Sequence, residues 1–436
     1  MVDLQTQYQN IKQDIDRGIQ EVLDSAAFVK GPKVNEFREH LEAYVGSKHV
    51  IPVGNGTDAL QIALMGLGLQ AGDEVITPTF TFIATAEVVA LLGLTPVVVD
   101  VDWETMNISV EAIEKAITPK TKAIVPVHLF GQCANMEAIM TIAKRHNLYI
   151  VEDACQAIGA TYTFQDGTKK QAGTMGNIGC TSFFPSKNLG CYGDGGAIFT
   201  DDDDLAARMQ AIANHGMVVR YHHDMVGINS RLDSIQAAIL DAKLPHLDEY
   251  IANRQRAASY YDKAFSNNPH VQIPGRNPSS THVFHQYTLR IINANRDVLK
   301  EKLAEKIWLM DVKAPRVAKK CMPGEVIIVR IDERGERVPL TICDYNREEG
   351  IVTIVFQEVG ASTTRMKELD VGGGFADFVG PLGKKSDLID VPIEELRRKR
   401  ILFVAGGVGT APVYPQVKWL KEQGVDADVI IGARNK

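Results

Sequence analysis

One amine, Lys187, stands in the run Thr181-Ser-Phe-Phe-Pro-Ser-Lys-Asn-Leu-Gly-Cys-Tyr-Gly-Asp-Gly-Gly196, after apolar residues and before four glycines. Desolvation there lowers a lysine's pKa and frees its lone pair to attack a carbonyl, which is the chemistry of a Schiff base. The alternative is a solvated lysine in a glycine-rich loop. Three further segments bear on the choice. Gly54-Asn-Gly-Thr-Asp-Ala59 lies between a strand-like and a helix-like run. Free N–H groups at such a helix start suit a phosphate; the plainer reading is an ordinary N-cap on Thr57 or Asp58. Val151-Glu-Asp-Ala-Cys-Gln156 puts acids at the carboxyl end of a buried strand, where open α/β sheets place their sites. Asp153 there can keep a pyridine nitrogen protonated, so that the ring draws electrons from a carbanion, or it can simply cap a helix. Ser182, five residues before Lys187, offers a hydroxyl to a phosphate or is a plain sheet serine. The four features share one region, and together they point to a pyridoxal phosphate site with Lys187 as its amine. His128, in Val127-His-Leu-Phe-Gly131, reads as a core histidine. His222 and His223 have no carboxylate cluster beside them, so no metal site is expected.

These residues need a scaffold. From Gly54 to about Phe199, strand-like runs at Val50–Val53, Glu74–Thr77, Pro96–Val101, Ala123–Val127, Tyr149–Glu152 and Thr181–Phe184 alternate with helical patterns at Thr57–Leu67, Thr85–Leu92, Val110–Ala116 and Met136–Arg145. Such alternation predicts a mostly parallel sheet covered by helices. The helical stretch from about Leu232 to Phe265 is expected to bend near Pro245 and to link a large domain to a smaller one. A strand is expected over Phe284–Ile292 and a helix over Arg296–Lys306. Beyond Lys306–Ile307 the pattern changes. Alternating runs at Glu325–Ile331, Ile351–Gln357 and Phe375–Val379 predict a small antiparallel barrel. Ile401–Ala405, a glycine-rich turn, a helix over Val413–Gln423 and a strand over Ala427–Ile431 then predict the start of an α/β nucleotide domain.

At 436 residues the chain has room for two or more domains. Its net charge of -7 gives no support for a nucleic-acid or anionic-membrane partner. The 6 cysteines form no C-x-x-C pair, so reduced thiols and a cytoplasmic setting are the expectation. The most apolar region, Phe80–Val99, is broken by Glu87 and Pro96 and reads as buried helix and strand, not as a membrane span.

Residues 1–306 resemble the DegT/DnrJ/EryC1/StrS sugar aminotransferases. The resemblance rests on Gly54-Asn-Gly-Thr-Asp-Ala-Leu60, Gly72-Asp-Glu-Val-Ile-Thr-Pro78, Glu152-Asp-Ala-Cys-Gln156, Phe183-Phe-Pro-Ser-Lys-Asn-Leu-Gly190, Arg220-Tyr-His-His223 and Val226-Gly-Ile-Asn-Ser-Arg-Leu-Asp-Ser-Ile-Gln-Ala-Ala238. It is closest to the branch that aminates UDP-2-acetamido-2-deoxy-3-oxo-glucuronate. The resemblance implies a fold-type I pyridoxal phosphate enzyme in cell-surface polysaccharide biosynthesis, with glutamate as donor and a UDP-linked keto-sugar as acceptor. It implies that Lys187 holds the cofactor and relays a proton, Asp153 pairs with the ring nitrogen, Gln156 contacts the ring and Phe80 stacks on it. Gly56, Thr57 and Ser182 would cradle the phosphate, Asn229 would reach it from a partner subunit, and His223 and Arg231 would face the sugar acid. A homodimer follows. The implied domains are 1–240 (cofactor-binding) and 241–306 (a partial small domain).

A second constellation follows. Arg337-Val-Pro-Leu-Thr-Ile-Cys-Asp344 sets Arg337, Pro339 and Thr341 along one strand, where an arginine can pair with a pyrophosphate and a threonine can reach a flavin ring; an exposed strand arginine is the plainer reading. Val404-Ala-Gly-Gly-Val-Gly-Thr-Ala-Pro412 resembles a dinucleotide phosphate turn through Gly406, Gly407 and Gly409, or is a tight βα turn. With Gly380-Pro-Leu-Gly383, these residues resemble the FAD/NAD(P)-binding subunit of ferredoxin–NADP reductases of the sulfide-dehydrogenase type. That resemblance implies a partial FAD barrel over 307–398, a partial NAD(P) domain over 399–436, and flavin-dependent NAD(P)H oxidoreduction as the alternative function. Both resemblances stop short of the full families, and no Gly/Ser- or Pro-rich spacer separates them. A chimera of two truncated proteins, active or inactive, is therefore expected.

Overall fold

The computed structural model describes residues 3–296, 307–358, 360–369, 372–406 and 411–432. The chain divides into two compact units, Met1–Asn293 and Ala294–Lys436.

The strands of the first unit are β1 (His49–Val53), β2 (Glu74–Pro78), β3 (Thr95–Val99), β4 (Thr121–Ile124), β5 (Tyr149–Asp153), a hairpin of β6 (Thr161–Thr163) and β7 (Lys169–Gln171), β8 (Ile178–Ser182) and β9 (Gly196–Thr200). Seven of them form one sheet in the order β1-β9-β8-β5-β4-β2-β3. Its centre is parallel through β3, β2, β4, β5 and β8, whereas β9 runs antiparallel to both β8 and β1. The central strands are buried along nearly their whole length, which is why they read as continuous apolar runs.

The helices are α1 (Leu4–Asn10), α2 (Lys12–Ser25), α3 (Pro32–Val45), α4 (Gly56–Gly66), α5 (Ala84–Leu91), α6 (Val110–Ala116), α7 (Met136–His146), α8 (Asp203–Ile212), α9 (Ser234–Lys243) and α10 (Leu247–Phe265). Side chains of Asn55, Ser109, Asn135 and Asp202 accept first-turn N–H groups of α4, α6, α7 and α8, which fixes where those helices begin. One core packs Phe37, Ile139, Phe183 and Leu240 together, and a second packs Ile62, Val89, Ile198 and Met209. The bend expected near Pro245 is a 3-10 turn, Leu244–His246, between α9 and α10.

Two expectations need correction. The strand expected over Thr181–Phe184 begins at Ile178 and ends at Ser182, because Phe183 is taken into a turn by Cys191 N–H. The strand expected over Phe284–Ile292 shrinks to β11 (Arg290–Ile291), paired with β10 (Val271–Gln272). Phe284 is left-handed at φ 47°, and the Arg254 guanidinium takes the carbonyls of Phe284 and His285, so that backbone has left the ladder. The helix expected over Arg296–Lys306 lies, beyond Arg296, outside the described residues.

In the second unit β12 (Ile307–Lys313), β13 (Val326–Arg330), β14 (Val338–Asn346), β15 (Ile351–Gln357) and β16 (Asp377–Leu382) form an antiparallel sheet in the order β12-β15-β14-β13-β16. Ile327, Ile342, Ile354 and Phe356 centre its core. The parallel pair β17 (Ile401–Gly406) and β18 (Ala427–Gly432) is joined through a helix, Tyr414–Glu422. Among the described residues of the chain, no helix is long and apolar enough to cross a membrane.

Candidate active site

β5 and β8 are parallel neighbours, with Asp153 in register with Cys180, two residues before Ser182. Their carboxyl ends therefore share one rim of the sheet. Strand alternation sends Glu152 and Asp153 to opposite faces. Glu152 is fully buried and structural: it accepts Nε2–H from His128 and the N–H groups of Gly173, Met175 and Gly176. His128 accepts the Ala134 N–H at Nδ1, so both ring nitrogens are satisfied inside the core.

Asp153 is different. It is 6% exposed, and its oxygens receive the Thr85 hydroxyl at 2.8 Å and the Cys155 N–H at 3.2 Å. Among the described residues it has no ion-pair partner. A buried carboxylate with only neutral donors is under-compensated. A protonated ring nitrogen is a partner of the right sign, so this position fits the pyridine of pyridoxal phosphate.

The phosphate end fits as well. Asn55 caps α4 through the Asp58 N–H at 2.8 Å, while the N–H groups of Gly56 and Thr57 have no intrahelical acceptor. A Cβ on Gly56 would lie 2.8 Å from Ser182 Cβ and 2.9 Å from Cys155 Sγ, so glycine is what lets the helix start abut β8. Backbone donors, the positive end of the helix dipole and the Ser182 hydroxyl are groups of the kind that would hold a phosphate.

Lys187 is half-buried on the loop leaving β8, where its N–H closes a turn on Phe184 O at 2.8 Å. Cys155 ties the parts together. Burial, then the charge of Asp153, raise its thiol pKa well above the ordinary value, and the charge of Lys187 opposes them. His285 also senses Lys187: burial first, then Lys187 and Arg254, push it down to about 3, so its imidazole stays neutral. Gln156 Oε1 accepts the Phe130 N–H at 2.8 Å, and Phe130 packs edge-on against half-exposed Phe80 with ring centres 6.1 Å apart.

The structure thus brings Gly56, Asp153, Ser182 and Lys187 together around Cys155, with Thr57 beside Gly56 and Phe80 tied to Gln156 through Phe130. The remaining expected residues lie on the segment between α8 and α9. Ser230 accepts the Gly54 N–H and donates to Asp58, so the segment around it abuts the glycine turn. Its neighbours are exposed Asn229 and half-buried Arg231, and Arg231 lines a groove with Lys30, Asn35 and Asn214 rather than with Lys187. His223 is exposed, with its Nδ1 hydrogen-bonded to His215 O at 2.9 Å. Thr85 was not legible as a site residue, because it meets Asp153 only through the fold.

In the second unit Arg337, Pro339 and Thr341 alternate with Val338, Leu340 and Ile342, which face the core. The Arg337 guanidinium pairs with Asp377 at 3.1 Å. Gly406 ends β17 opposite Gly432. Gly407 and Gly409 lie outside the described residues.

Residues 9–314 match the DegT/DnrJ/EryC1/StrS aminotransferase family. The chain is 49% identical over 296 residues to the UDP-2-acetamido-2-deoxy-3-oxo-D-glucuronate aminotransferase of Pseudomonas aeruginosa, covering 67% of this chain and 80% of the relative. It is 46% identical over 303 residues to the UDP-N-acetyl-3-dehydro-alpha-D-glucosamine 3-aminotransferase of Acidithiobacillus ferrooxidans, covering 70% and 80%. Among solved structures, S. venezuelae DesV in complex with a ketimine intermediate superposes with a TM-score of 0.66 at 41% identity, over 69% of this chain and 79% of that one.

Proposed function

Since the chain belongs to the DegT/DnrJ/EryC1/StrS family of pyridoxal-phosphate-dependent sugar aminotransferases, we propose that it transfers the amino group of glutamate to a UDP-linked 3-keto sugar acid, for a cell-surface polysaccharide. One observation carries the reading: uncompensated Asp153, the open start of α4 and Lys187 meet at one rim of the sheet. The 3-keto position is supported by the two relatives, both of which are named for substrates oxidised there.

Pyridoxal phosphate, when bound, supplies a carbonyl that captures amines and a ring that accepts the electrons of a broken C–H bond. The chain's residues do the rest. Lys187 Nζ attacks as an amine, takes the α-proton of glutamate, and on the sugar returns a proton to the receiving carbon. Asp153 holds the ring nitrogen in its protonated state. Gly56, Thr57 and Ser182 hold the phosphate, Gln156 contacts the ring, and Phe80 covers one face of it. Asn229 serves the phosphate of a second copy, and His223 and Arg231 face its sugar acid, so the working unit is a homodimer. What supports this is that Asn229 and His223 are exposed and that Arg231 lines a groove with Lys30, Asn35 and Asn214. A flavin-dependent reaction in the second unit is the weaker reading, since the arginine it needs is paired with Asp377.

The test is direct. The full chain with pyridoxal phosphate, glutamate and a UDP-3-keto sugar acid should release 2-oxoglutarate. Lys187→Ala should lose the yellow absorbance and reduce turnover by at least ~10³-fold. Wild-type protein that binds the cofactor yet yields no 2-oxoglutarate, even in a single turnover, would sink the proposal. A flavin spectrum in the purified protein would favour the weaker reading.

A further inference from the structure

Lys243 ends α9, is 1% exposed, and has no carboxylate partner among the described residues. Its ammonium donates to Gly190 O at 2.7 Å and lies 4.2 Å from the ring centre of Tyr192. Both contacts belong to the loop that carries Lys187. An ammonium stripped of water persists only where fixed dipoles replace its hydration. A carbonyl oxygen and the face of an aromatic ring do so. The same helix grips the loop a second time, through Gln236 Oε1 and the Tyr192 N–H at 2.8 Å. Positions 236 and 243 are two turns apart and share one face of α9. The loop is also tight: a Cβ on Gly190 would lie 2.4 Å from Pro185 O, so the backbone leading to Lys187 packs against Gly190.

We propose that Lys243 is a positioning residue for the transamination: from α9 it clamps the Gly190 carbonyl and so fixes the stem from which Lys187 reaches its reacting atoms. Its catalytic consequence rests on the aminotransferase reading; the clamp itself does not. The titratable groups that face Lys243 are Cys191 and Tyr192. Burial raises both, Tyr192 to about 12, so neither ionises alongside the lysine. Asp194 acts on Cys191, and Tyr8, Tyr250 and Asp16 act on Tyr192. Burial pulls Lys243 down to about 8, with Cys191 opposing it. The clamp is therefore charged at neutral pH, and losing its proton in mild alkali relieves the cost of the buried charge.

The test compares wild type with Lys243→Met by amide hydrogen exchange in the cofactor-free full chain and by kinetics in the loaded enzyme. Exchange across residues 183–192 should rise about tenfold while β2 and β3 are unchanged. The kcat should fall about tenfold or more, with the KM for glutamate within about twofold. Unchanged loop exchange, or an equal rise throughout the first unit, overturns the clamp. Should Lys243→Met fail to fold, wild type answers alone. Protection of these amides, corrected for intrinsic base catalysis, should rise as pH passes about 8, since opening the loop rehydrates Lys243, and flat protection to about pH 9.5 overturns the proposal. Turnover intact with no loop effect removes the clamp alone; a loop effect in a wild type that cannot transaminate removes the aminotransferase reading and leaves the clamp.

Discussion

Asp153 takes its character from the cation it lacks. Asp153→Asn keeps the shape that Thr85 and the Cys155 N–H embrace but removes the charge a ring nitrogen needs. The kcat should drop by ~10²–10⁴-fold, while the urea midpoint of the apoprotein stays level or rises because a lone buried charge is gone. A midpoint that falls would mean the carboxylate is structural, as Glu152 is. Thr85→Val should cost roughly 1.5–3 kcal/mol of stability, the range for a hydrogen bond to a charged group, read from the same urea curves. Lys243 makes a pH-dependent contribution whose sign follows from its shift. The ordinary lysine value of 10.5 falls to about 8 on folding, so between these values the unfolded chain binds more protons. Stability should therefore rise with pH across that window and carry the full penalty of the buried charge below it. The urea midpoint of wild type minus that of Lys243→Met, followed from about pH 7.5 to 10.5, should rise steadily.

Among the elements, the start of α4 against the end of β8 makes the proposed phosphate cradle. Gly56→Ala places a methyl 2.8 Å from Ser182 Cβ, and one of the two must move. Pyridoxal phosphate affinity should weaken by at least about tenfold, roughly 1.4 kcal/mol, in an absorbance titration; unchanged affinity would show that the phosphate lies elsewhere. The elements were legible where one local signal sufficed. Val110–Ala116 and Ile351–Gln357 form at the expected residues because a capping serine or strict alternation marks them. The end of β8 was misplaced because Phe183 and Phe184 extend the apolar run past the residue at which the backbone turns. The stretch Phe284–Ile292 misled for a related reason: Arg254, distant in sequence, withdraws its carbonyls from any strand. Lys187, Asp153 and the glycine turn, the centre of the proposed site, can be read from their own neighbourhoods. Thr85 and Lys243 could not, since each acts on a residue far along the chain.

For the whole molecule, the family match covers residues 9–314, and the compact unit that holds the proposed cofactor site is Met1–Asn293. A ligand held by the native state alone stabilises it by about 2.7 kcal/mol at a concentration 100-fold above its Kd. Pyridoxal phosphate should therefore slow amide exchange in β5 and β8, and a null result at saturation would contradict the assigned site. The antiparallel β9 bears on how this molecule comes into being. Among the described residues β1 enters the sheet only by pairing with β9, His49 against Thr200, and α4 follows directly from β1. The cradle made by Gly56 and Ser182 is thus assembled across a long loop of chain, and closures of that kind come late in folding. During synthesis, residues 49–66 must wait for residue 200 to leave the ribosome. The nascent chain is thus blind to its coenzyme until most of the first unit exists, and added pyridoxal phosphate should raise the yield of refolding without hastening its early phases.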